Sequence, residues 1–85
     1  MPDLDSYVQA LAQLAKEPGQ ATVLASEKVI ADFICVIGQD REAIKQGLTD
    51  MDKAVRDEAS RNPALAEFLT STSFCDYIAQ RRSEV

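Results

Sequence analysis

Asp50, Asp52, Asp57 and Glu58 form the densest group of side chains in this sequence that could hold a metal or move a proton. A calcium loop would require acidic or amide ligands at alternating positions, a central glycine and a closing glutamate. Met51 and Lys53 interrupt that alternation, and the stretch runs in helical phase. It reads as a solvated helix face with Asp-to-Arg pairs at helical spacing. The two thiols are the next candidates. In helical projection Cys35 falls on the side of Lys28 and Ala31. A neighbouring lysine favours the reactive thiolate, whereas a cysteine without such help acts as a small hydrophobe at a helix contact. Cys75 could bridge to Cys35 if the helices that carry them dock. In a reducing compartment both are expected as free thiols.

Other chemistry is limited by what the chain lacks. With no histidine, Ser-His-Asp and Cys-His nucleophiles, mixed-ligand zinc sites and the Glu-x-x-His pairs of di-iron bundles are all unavailable. Two cysteines are too few for a structural zinc site or an iron–sulfur cluster within one chain. The glycines Gly19, Gly38 and Gly47 are too scattered for a phosphate-binding loop. No cofactor and no metal are therefore expected. An acidic helical chain of this length invites comparison with acyl carriers, but Asp5-Ser6 and Ser26-Glu27 lack the Gly-x-Asp-Ser turn that would receive a phosphopantetheine arm.

Charge narrows the partners. The net charge is -5, and the only basic run is Arg81-Arg82. Direct nucleic-acid binding is not expected, because phosphate recognition needs clustered Lys and Arg. No stretch approaches the length of uninterrupted apolar residues that spans a bilayer, and Glu27, Lys28 and Asp32 interrupt the best candidate. The start, MPDLDSY, is acidic, unlike a secretory leader with its basic beginning and apolar run. A cytoplasmic location is the expectation.

These side chains must be positioned by helices. The 85 residues, 46% hydrophobic and 27% charged, suit one folded domain over 1–85. The periodicity predicts an all-α fold, a small bundle of four to five helices around a central apolar helix at about 23–37. In that segment Val23, Val29, Ile30, Phe33, Ile34, Val36 and Ile37 fall in one broad apolar arc, with Lys28 and Asp32 opposite. Thr22 is its expected N-cap and Gly38 its C-cap. A first helix is expected over 4–16, with Asp3 as N-cap and Pro18-Gly19 as its stop. Asp40 should cap a third helix over about 41–61. Ile37, Arg41, Ile44 and Leu48 keep phase across Gly38, so one long kinked helix competes with a break there; the glycine followed by a capping residue favours the break. Asn62-Pro63 marks the start of a short fourth helix, and Ser73 is the expected cap of a last one over about 74–82.

The third helix carries the narrowest and most regular stripe, Ile44, Leu48, Met51 and Val55, spaced four, three and four. Gly47 lies at its edge, where it would permit close approach. The leading functional expectation is a noncatalytic protein–protein interaction module, a small regulator, chaperone or adaptor, that meets another protein or a second copy of itself through this seam. The competing destination of the same stripe is the bundle's own core. A second expectation is an acidic decoy for a nucleic-acid-binding protein, carried by Asp50, Asp52, Asp57 and Glu58. A third is an accessory subunit of an enzyme complex, a role that needs no catalytic constellation in this chain.

Overall fold

Among the described residues five helices follow one another: α1 (Leu4–Lys16), α2 (Thr22–Ile37), α3 (Arg41–Ala59), α4 (Pro63–Ser71) and α5 (Phe74–Ser83). A computed structural model describes residues 3–17 and 19–85 of the chain, and no strand occurs among them. The molecule is an all-α bundle. Its radius of gyration, 12.0 Å, matches the roughly 12 Å expected of a folded chain of this length.

Local sequence accounts for the breaks. Gly38 has φ 104° and ψ −144°, a conformation that only glycine adopts readily, so α2 ends there and α3 starts afresh. Asp40 caps α3: its Oδ1 accepts from the Glu42 and Ala43 amides at 3.0 and 3.3 Å. Asn62 does the same for α4, accepting from Ala64 and Leu65 at 3.1 and 3.3 Å, with Pro63 pre-set in the first helical position. Pro18, one of the two residues expected to stop α1, lies outside the described residues. The Glu17 amide closes α1 on the Leu14 carbonyl at 3.3 Å.

Two expected caps are displaced. Thr22 is the first residue of α2 and not its N-cap. Its hydroxyl oxygen accepts from the Gly19 amide at 2.6 Å, so it ties down the preceding turn. Ser73 stands at the N-cap position of α5 without a side-chain cap bond. Thr72 acts there instead: its hydroxyl donates to the Phe68 carbonyl at 2.7 Å and accepts from the Phe74 amide at 3.4 Å. That single side chain links the end of α4 to the start of α5. Asp3 does occupy the N-cap position of α1, but its carboxylate accepts from the Ser6 hydroxyl at 2.7 Å and makes no cap bond. That bond from the Ser6 hydroxyl is the main reason the Asp3 carboxyl lies below its ordinary value.

The helix that rests on every other is α3, which contacts α1, α2, α4 and α5; α2 rests on α1, α3 and α5. The reason lies in the two apolar patterns. The stripe of α3 is narrow and wholly covered, with Leu48, Met51 and Val55 at 0% exposure and Ile44 at 9%. The arc of α2 is wider than its neighbours can cover. The helix buries Thr22, Ser26, Ile30 and Phe33; of the arc Val36 stays 58% and Val23 39% exposed, and Leu24, on the Lys28 side, is 70% exposed. The α3 stripe shares one buried cluster with Leu11, Ile30, Leu65, Phe74 and Ile78, and each such buried side chain stabilises the fold by about 1.5–3 kcal/mol.

Candidate functional site

The Ile44–Leu48–Met51–Val55 seam, expected as a surface for a partner or a second copy, lies inside the chain's own core. This is the competing destination, the bundle's own core, and it has a simple cause. Four neighbouring helices surround α3, and its apolar stripe is the one they share. A surface for a partner has to be sought among apolar side chains left outside that core.

Such a place lies where the start of α1, the end of α2 and the first half of α3 meet. There a groove of about 400 Å³ is lined by Leu4, Phe33, Val36, Ile37, Ala43 and Gly47, with Gln46 and Asp50 as its polar members. Helical spacing explains the grouping. Phe33 and Ile37 are one turn apart on α2, and Ala43, Gly47 and Asp50 repeat at four and three residues on α3. Gly47 lets α2 and α3 approach closely here. A Cβ there would stand 2.6 Å from Ile37 Cδ1 and 3.3 Å from Phe33 Cε2, so the missing side chain is what lets these two enter. Phe33 is further fixed by Tyr7 of α1, whose ring meets it edge-on at 5.2 Å between centroids and 65° between planes. Val36 stands exposed at the mouth.

Among the described residues Asp50 is the one charged side chain that lines this groove. It is half-buried and accepts from Gln46 Nε2 at 3.0 Å. A carboxylate beside an apolar hollow attracts an ammonium or guanidinium group. A proton relay would need a second titratable group, and the lining supplies none.

The four acidic residues singled out in sequence all lie on α3 but do not share one face. Asp50 and Asp57 project to one side, with Asp52 roughly 200° round from Asp50 at helical pitch. Asp52 bonds Arg56 within α3 at 3.1 Å and Glu58 bonds Arg61, just past the end of α3, at 2.9 Å, so two of the four charges are matched locally. No group of three metal-ligating side chains occurs among the described residues.

A second groove, between α3 and α5, is polar and mixed in sign. Glu42, Lys45 and Arg82 line it, and Arg82 Nη1 donates to Thr49 Oγ1 across the two helices at 3.4 Å. The cysteines are apart in role as well as sequence. Although α5 does dock on α2, Cys35 is exposed, Cys75 is half-buried, and both are free thiols. Burial pushes the Cys75 thiol up from its ordinary value; Arg56 pulls it back in part.

Sequence reasoning missed this groove because its lining comes from three helices whose association no local pattern records. Two signals pointed towards it: Gly47 beside an apolar stripe, and Val36 in an arc too broad for one neighbour. Among the described residues no helix is long and apolar enough to cross a membrane. No protein-family model, curated protein or solved structure matches the chain.

Proposed function

We propose that the chain is a noncatalytic protein-interaction module that takes an apolar side chain from a helix of another protein, flanked by Lys or Arg, into the α1–α2–α3 groove. The observation that carries this reading is the groove's composition: an apolar hollow beside the close Gly47–Ile37 approach, with Asp50 as the one charged lining residue among the described residues. Apolar anchors seated in pockets supply most of the affinity of helix-in-groove contacts. The carboxylate and the net charge of -5 favour a basic flank and speed its approach. Such an activity is that of a small regulator, chaperone or adaptor.

The test uses two labelled amphipathic helical peptides with the same leucine face, one bearing lysines and the other glutamates elsewhere. Fluorescence anisotropy should show the lysine peptide binding more tightly, with affinity that falls as salt is raised. Asp50→Asn should weaken it about two- to fivefold, the worth of one partly exposed charge pair. Equal affinity for both peptides, or binding indifferent to Asp50→Asn and to salt, contradicts the reading.

A further inference from the structure

The outer face of α2 is self-complementary. Leu24, Lys28, Asp32 and Val36 follow one another at intervals of four along a single ridge that covers about 18 Å of helix axis. All four are exposed, and Leu24 and Val36 are the two most exposed large apolar side chains of the described residues. Neither Lys28 nor Asp32 takes part in an ion pair among those residues. The order, apolar–positive–negative–apolar, exchanges its two charges when read backwards through the middle of the helix. A second copy related by a two-fold axis there would run antiparallel. Leu24 would meet the second copy's Val36, and Lys28 its Asp32, each contact occurring twice.

We infer that the outer ridge of α2 is a surface for a second copy of this chain. Ridges of residues four apart interdigitate when two helices cross at about 50°, the commonest helix contact in globular proteins. The neighbouring row supplies the groove such a ridge needs, since Ala31 and Cys35 are small. A parallel arrangement would set Lys28 against Lys28 and Asp32 against Asp32, so the charges select the antiparallel one. A contact between two single helix faces belongs to the small, transient class of interfaces, so the dimer forms and dissolves with concentration. This inference stands apart from the proposed binding groove. Only Val36 belongs to both surfaces, and the substitutions below leave it alone.

The experiment is sedimentation equilibrium up to about 1 mM chain, the range in which such small contacts associate. The natural chain should show a monomer–dimer equilibrium. Lys28→Asp makes both central charges of the ridge acidic, and Asp32→Lys makes both basic. Each variant alone should dimerise at least tenfold more weakly, while an equimolar mixture should form a heterodimer at least as tight as the natural dimer. Leu24→Asp should abolish association with an unchanged helical circular dichroism spectrum, because the side chain touches solvent and not the core. A strict monomer throughout the range overturns the inference. So does a dimer that survives both single reversals, or a mixture that associates no better than its parts.

Discussion

Gly47 of α3 leaves the space that Ile37 of α2 fills: a Cβ at position 47 would stand 2.6 Å from Ile37 Cδ1. One hydrogen atom in place of a methyl group thus shapes the groove. Gly47→Ala should raise helix propensity by about 1 kcal/mol and lose a similar amount where the new methyl displaces the Ile37 tip. Urea unfolding should change by no more than about 1 kcal/mol in either direction. The displaced Ile37 would move towards the hollow it lines, so the lysine peptide should bind severalfold more weakly. Unchanged affinity would show that the groove's depth does not matter to binding.

The α3 stripe should behave as core. Leu48→Ala and Met51→Ala should each destabilise the fold by about 2–5 kcal/mol, since both side chains are fully buried and the cavity cannot close completely. Leu24→Ala, on an exposed surface, should change stability by no more than about 0.5 kcal/mol. Chemical denaturation read by circular dichroism compares the three. Stability that barely responds to Leu48→Ala would return the stripe to the surface.

Helix ends divide into those with bonded caps and those without. Asp40→Ala and Asn62→Ala should each cost about 0.5–2 kcal/mol, because each frees two backbone amides. Ser73→Ala should be nearly silent, within about 0.5 kcal/mol, whereas Thr72→Ala should cost about 1 kcal/mol or more. Thermal melts rank the four, and a larger loss at Ser73 than at Thr72 would contradict the observed α4–α5 link.

The residues that made the bundle readable in advance are those whose effect is local. Asp40 and Asn62 announce helix starts because a short polar side chain can reach an amide two or three residues ahead. Gly38 announces an end because its φ excludes other residues, and this settles the break between α2 and α3 over one kinked helix. Local reach also explains the two misplaced caps. Ser73 has Thr72 as an adjacent hydroxyl, and the choice between the two oxygens depends on how the turn folds back; Thr22 reaches back to the Gly19 amide and so lies one residue inside its helix. Periodicity showed that Ile44, Leu48, Met51 and Val55 share a face but carries no information on what meets that face. That is decided by α1, α2, α4 and α5, which lie up to tens of residues away. The groove was invisible for the same reason, as Leu4, Ile37 and Gly47 become neighbours only when three helices associate.

The two thiols should differ in chemistry. Cys35 is open to reagent, whereas burial shields Cys75 and raises its pKa, with Arg56 opposing and Asp52 and Asp76 assisting the rise. Brief iodoacetamide treatment near pH 8, followed by peptide mass spectrometry, should label Cys35 well before Cys75. The sign of the linkage follows from the raised value: folding is favoured below the unfolded thiol's pKa, and that contribution is lost as pH rises through the folded one. Stability should therefore decline on the alkaline side more in the natural chain than in Cys75→Ala. Equal labelling rates would contradict the half-buried position of Cys75.

The central claim is that an apolar hollow beside Asp50, and not the α3 stripe, receives a partner. Methyl-resolved NMR of the chain titrated with the lysine peptide tests it most directly. The account predicts that the signals of Leu4, Val36 and Ile37 move together and saturate, while those of Leu48, Met51 and Val55 stay near their starting positions. Shifts centred on Leu48 and Met51, or binding that leaves Leu4 and Ile37 untouched, would contradict it.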